Sequence, residues 1–85
     1  MKVKIEIIGD VLHLDGYSSE RITPELFRDW QAILHNDKGI LHRLLEGDGR
    51  PEEIKHREEE VYDAETILEM IKEKFPEYAI WLKHP

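Results

Sequence analysis

Residues 63–83, DAETILEMIKEKFPEYAIWLK, are the most strongly specified stretch of the chain, and their reading decides how the rest is arranged. Asp63 stands where a helix N-cap accepts orphan amide hydrogens, and Glu65 follows in the first turn. Ala64, Ile67, Leu68, Ile71 and Phe75 recur at helical spacing, with Lys72 and Lys74 at the negative end of the dipole. Pro76 lacks an amide hydrogen and disfavours helical backbone in the residue before it, so the helix stops there. Beyond it Tyr78, Ile80 and Leu82 alternate with Ala79, Trp81 and Lys83, which predicts a strand with apolar residues on both faces.

Such a strand needs partners, and the N-terminus supplies them. Val3, Ile5 and Ile7 alternate with Lys2, Lys4 and Glu6; Gly9-Asp10 follows, and alternation resumes from Val11 to Asp15. A two-residue type II′ turn at Gly9-Asp10 opposes Ile8 to Val11, Ile7 to Leu12, Glu6 to His13, Ile5 to Leu14 and Lys4 to Asp15. Ile5, Ile7, Leu12 and Leu14 then share one face, and opposite-charge pairs occupy the other, each cross-strand pair contributing roughly 0.2 to 1 kcal/mol. Residues 15–21, with Gly16, Ser18 and Ser19, read as a loop.

Thr23, Pro24 and Glu25 announce a helix, with Ile22 and Phe27 spaced as a hydrophobic staple. Leu26, Phe27, Trp30, Ile33 and Leu34 form its apolar stripe, and its end is expected near Asn36. Asn36-Asp37-Lys38-Gly39 reads as a turn into a shorter helix, 40–46, that carries Ile40, Leu41, Leu44 and Leu45 and is stopped by Gly47. Residues 47–51, GDGRP, are the clearest break, and the acidic segment 47–60 is where mobility is expected. Residues 51–60 contain Ile54 as their one apolar side chain; Pro51 at the start, Glu52 and Glu53 in the first turn and Glu53 with Arg57 at i,i+4 favour a helix.

The expected architecture is therefore a single α+β domain over residues 1–85. Its three-stranded sheet combines the N-terminal β-hairpin with the C-terminal strand, in order 2-1-3, and packs against two to four helices in the sequence β-β-α-α-(α)-α-β. Phe27, Trp30, Ile33, Leu68, Ile71, Phe75 and Trp81 are the expected core.

Composition narrows the function. With 85 residues the domain is too small for a large enclosed substrate cavity. No cysteine is present, which removes disulfides, thiolate metal sites and cysteine nucleophiles. No signal-peptide or membrane-spanning pattern stands in the chain, so a cytoplasmic location is the default expectation. The net charge of -7 is confined to residues 46–77, where twelve acids meet five bases; the remainder is balanced. That stretch repels a phosphate backbone and suits either a basic protein partner or simple solubility, glutamate being a good surface helix residue.

Candidate chemistry is sparse. His35, Asp37 and His42 flank the expected turn 36–39 and form the one combination suggestive of a metal-dependent hydrolase, though H-x-D-x4-H matches no ligand signature and the ordinary reading is helix-end histidines. His56 with Glu58, Glu59 and Glu60 reads as a solvated face, because consecutive helical side chains diverge, and His13 is explained as the cross-strand partner of Glu6. Ser18 and Ser19 lack a nucleophile elbow. Gly47-Asp48-Gly49 lacks the Lys-Ser/Thr of a phosphate loop. Residues 40–46 offer base edges only His42 and Arg43, too few for a recognition helix.

The leading expectation is a non-enzymatic protein-interaction module of inhibitor or adaptor type, without a cofactor. It would present Glu52, Glu53, Glu58, Glu59, Glu60, Glu65, Glu69 and Glu73 to a basic protein partner, not to nucleic acid or a membrane. A homo-oligomer, at its simplest a homodimer, joined through Tyr78, Ile80 and Trp81 is the remaining alternative.

Overall fold

The computed structural model describes residues 3–78. Three strands, β1 (Ile5–Ile8), β2 (Val11–Leu14) and β3 (Ser18–Arg21), are followed by two long helices, α1 (Pro24–Glu46) and α2 (Pro51–Lys74). The α+β class and a three-stranded sheet packed on helices are as expected; the sheet is antiparallel throughout, and its order is β1-β2-β3 rather than the expected 2-1-3.

The hairpin register is the expected one, from Ile5 opposite Leu14 to Ile8 opposite Val11. Gly9 has φ 63° and no described non-glycine residue has positive φ, so only the first turn position is left-handed, as a type II′ turn requires. Ile5, Ile7, Leu12 and Leu14 face the core, and Leu12 is fully buried.

The third strand differs from expectation. Residues 18–21, read as loop, pair with β2 through the register Val11–Arg21 to Leu14–Ser18. Every side chain of β3 is exposed, so it carries no alternation to read. It is held by backbone pairing and two polar bonds, Arg21 Nε to Asp10 Oδ2 at 3.0 Å and His13 Nδ1 with Ser19 Oγ at 2.9 Å. His13 thus faces Glu6 in register but bonds to the other neighbouring strand. Of the strand expected over 78–82, Tyr78 belongs to a helical turn, 76–78, and the other residues lie outside those described.

The two helices are also longer than the sequence reading made them. Thr23 caps α1 as expected, its Oγ1 accepting the Leu26 N–H at 3.0 Å, and Ile22 and Phe27 are both buried. No turn interrupts residues 36–39. The half-buried or buried positions Leu26, Trp30, Leu34, Asp37, Leu41 and Leu44 recur every three or four residues, so the two apolar stripes are one stripe with Asp37 in the middle. Gly39 costs about 1 kcal/mol against alanine in a helix interior, which packing along 23 residues overrides. In α2, Ile54, Arg57, Val61, Ala64, Leu68 and Ile71 repeat in the same rhythm, and Asp63, read as an N-cap, is a buried residue inside the helix. The helix ends at Lys74, before Pro76, as expected.

The helices form an antiparallel hairpin closed by residues 47–50. The core lies where α1 and α2 meet the sheet: Leu12, Ile22, Leu26, Phe27, Ile67 and Ile71, with Trp30, Leu68, Phe75 and Tyr78 packed against them. Ile33 is 41% exposed rather than a core residue, and Trp81 lies outside the described residues.

Two glycines in this hairpin predict opposite outcomes. A Cβ on Gly49 would stand 2.6 Å from the Leu44 carbonyl oxygen, so Gly49→Ala should lower the urea midpoint. A Cβ on Gly39 meets nothing within 4 Å, so Gly39→Ala should raise stability by roughly 0.5 to 1 kcal/mol. A loss of stability in Gly39→Ala would contradict a continuous α1.

Candidate functional site

Helix α2 gathers most of the acidic stretch onto one element: nine acids and four bases lie between Pro51 and Lys74. At about 100° per residue the eight expected partner-binding glutamates split into two sectors. Glu58, Glu65, Glu69 and Glu73 fall within about 80° of one another on the outward side, and all four are exposed. Tyr62, 55% exposed, stands among them. Glu52, Glu53, Glu59 and Glu60 fall in a second sector; the first two are exposed and the latter two are partly covered. Glu65 reaches across to Lys38 of α1 at 3.6 Å, and Glu60 lies 3.7 Å from His56.

The residues suggested for a metal centre do not converge. His35 and His42 are both exposed and sit two helical turns apart, about 10 Å along a continuous α1. Asp37 points to a different side, is 6% exposed, and accepts from Arg57 Nη1 through Oδ1 at 2.7 Å. His42 Nε2 lies 2.8 Å from Glu46 one turn on. Among the described residues no group of three or more His, Asp or Glu side chains is placed to hold a metal ion. Of the self-association residues, Tyr78 is half-buried against its own core and stacked on Phe75 at 5.1 Å, which removes it from a free surface; Ile80 and Trp81 lie outside the described residues.

Sequence reasoning missed two buried carboxylates because it searched interior positions for apolar residues only. Asp37 and Arg57 occupy facing slots of the α1–α2 seam, and Arg57, assigned to Glu53 by i,i+4 spacing, is taken by Asp37 instead. Their phase within two apolar stripes was the available signal. Asp63 is 6% exposed and accepts a hydrogen bond from the Val3 amide at the margin of the sheet. Burial pushes its carboxyl above the ordinary aspartate value, and the neighbouring Glu60 and Glu59 push the same way. No buried side-chain nitrogen or oxygen among the described residues lacks a partner.

The outer face of the sheet carries an open groove of about 450 Å³ bounded by Lys4, Glu6, His13, Tyr17 and Ser19. Ser19 and His13 resemble a nucleophile and base, but a dyad needs a third group to orient the imidazole. Glu6, opposite His13, accepts from Lys4 Nζ through Oε1 at 3.0 Å, a bond that raises the pKa of the Lys4 ammonium above its ordinary value. The Ser19–His13 bond is accounted for by its role in holding β3. No helix among the described residues is long and apolar enough to cross a membrane.

No protein-family model, curated protein or solved structure matches the chain. The reading of its function rests on the arrangement just described.

Two measurements test the buried charges. Removing one member of a buried pair costs about 3 to 5 kcal/mol, so Asp37→Ala or Arg57→Ala should each cost about 3, at the lower end because Arg57 is 27% exposed. The double variant Asp37→Leu with Arg57→Leu should recover most of that loss in urea denaturation.

For Asp63 the raised folded-state value means that the native protein binds the proton more tightly than the unfolded chain. The associated stability is fully present below the unfolded aspartate value, about 3.9, and is lost as pH rises through the folded value. Asp63→Asn keeps an acceptor for Val3 and removes the buried charge. It should be more stable than the parent at neutral pH, with the difference vanishing in acid; a less stable variant at neutral pH would refute the assignment.

Proposed function

We propose that this protein is a non-enzymatic interaction module, of inhibitor or adaptor type, that presents the acidic surface of α2 to a basic protein partner. The observation that supports it is the placement of nine acids against four bases on a single 24-residue helix, most of them exposed. One of the four bases, Arg57, is consumed internally by Asp37, so it does not offset the surface charge. A continuous helix holds these carboxylates on a rigid frame, and rigid complementary charge raises association rates and selects partners more than it adds raw affinity.

The test separates charge placement from net charge. Glu52, Glu58, Glu69 and Glu73 changed together to Gln should weaken binding of a Lys/Arg-rich peptide by about tenfold, since four exposed pairs at about 0.3 to 0.5 kcal/mol each sum to that factor. A control with Asp15→Asn, Glu20→Gln, Glu25→Gln and Asp29→Asn, all exposed and all off α2, alters net charge equally and should lose much less. Raising salt from about 0.05 M to about 0.5 M should reduce parental binding steeply. Equal losses in the two variants would overturn the reading.

A further inference from the structure

The sheet is too small to cover the helices. Strands of four residues span about 13 Å, whereas helices of 23 and 24 residues run to about 35 Å. The hydrophobic cluster accordingly stops at Leu26, Phe27 and Trp30 on α1 and at Ile67, Leu68 and Ile71 on α2, and among the described residues the half of the hairpin nearer its loop has no second layer. In that half lies a groove of about 310 Å³ lined by Ile40, Leu44, Glu52, Glu53, His56 and Arg57. Its α1 side is apolar. On the helical wheel Ile33, Ile40 and Leu44 fall within about 40°, a stripe about 16 Å long that leads from the exposed Ile33 into the groove. Its α2 side carries Glu52 and Glu53, exposed and without an ion-pair partner among the described residues, beside His56, which faces Glu60, and Arg57, whose charge is taken by Asp37, so the unbalanced charge of that wall is negative.

An apolar wall beside an acidic wall, open along one helical groove, specifies its occupant by shape and charge. We infer that this groove is the docking site for a basic amphipathic helix of the partner, about three turns long. Its apolar stripe lies on Ile33, Ile40 and Leu44, and its Lys or Arg side chains face Glu52 and Glu53. The inference rests on the acidic-module reading and sharpens it, since it assigns docking to the Glu52 and Glu53 sector and leaves Glu58, Glu65, Glu69 and Glu73 to steer the approach. A third helix laid into the groove of a helical pair is the ordinary way for such a layer to acquire its missing cover. An extended basic peptide would satisfy the charges and leave the apolar wall wet.

The test uses the full chain and two peptides of about fourteen residues with identical composition, one amphipathic as a helix and one scrambled to remove the apolar face. The amphipathic peptide should bind at least about tenfold more tightly, the equivalent of one well-buried aliphatic side chain. Its binding should perturb the backbone amide resonances of Ile33, Ile40, Leu44, Glu52 and Glu53 in the unmodified protein. Ile33→Ser with Ile40→Ser should abolish the preference while leaving binding of the scrambled peptide unchanged; the resonance mapping needs no substitution, so the inference stays testable if that variant fails to fold. Equal affinities, or perturbations confined to Glu58, Glu65, Glu69 and Glu73, overturn the groove assignment and leave the acidic-module reading standing. Absence of binding by both peptides overturns both.

Discussion

Asp37 and Arg57 meet at 2.7 Å within the seam between the two long helices, and the register of the hairpin depends on that meeting. Each occupies a slot that an apolar side chain would otherwise fill, so a hairpin slipped by one turn would bury both charges without partners. A buried pair adds little net stability over an apolar pair, yet breaking it is costly, and that asymmetry penalises the wrong register more than it rewards the right one. Ala64, fully buried in α2, adds a small side chain in the same seam. Lys38 and Glu65, 3.6 Å apart and half exposed, repeat the cross-helix pairing at the surface, where it contributes at most about 1 kcal/mol.

The sheet is an attachment to this hairpin. Its inner face supplies Leu12 and the flanking Ile5, Ile7 and Leu14, which close the core over Phe27, Ile67 and Ile71. Asp63 stands at the junction, a carboxyl taken out of water by the sheet and bonded to the Val3 amide. Its raised proton affinity is the cost of joining a helix rich in glutamate to a small cap. The same helix continues beyond the sheet, and there Glu52, Glu53 and Glu58 are exposed while Glu59 and Glu60 are partly covered. The division of α2 into a covered half and an open half therefore follows from the difference in length between four-residue strands and helices of six to seven turns.

The acidic surface and the groove beside it are the two features on which the proposed interaction module rests. The groove over the sheet and the groove along α1 are both open to solvent, one lined mainly by polar strand and loop residues and the other by Ile40 and Leu44 beside the side chains of α2. The chemistry available on α2 is charge held in fixed positions, which suits recognition of another macromolecule.

Local signals were legible wherever a short-range rule governed the outcome. The Gly9-Asp10 turn, the register of the hairpin, the Thr23 cap, the Ile22–Phe27 staple and the stop before Pro76 all depend on residues within a few positions of one another. The apparent breaks at 36–39 and 60–63 depended on something else. Asn, Asp and Gly favour turns in isolation, and Asp63 resembles a cap in isolation, but here packing between α1 and α2 outweighs preferences of about 1 kcal/mol per residue. β3 was illegible for the converse reason: its exposed side chains carry no pattern, and it is a strand because β2 offers it backbone partners. By itself the sequence determined the hairpin turn, the helix starts at 24 and 51, and the amount and location of negative charge. Only the tertiary structure decided that Asp37 and Arg57 pair and that Asp63 is buried, because each of these depends on which distant segment comes to lie opposite.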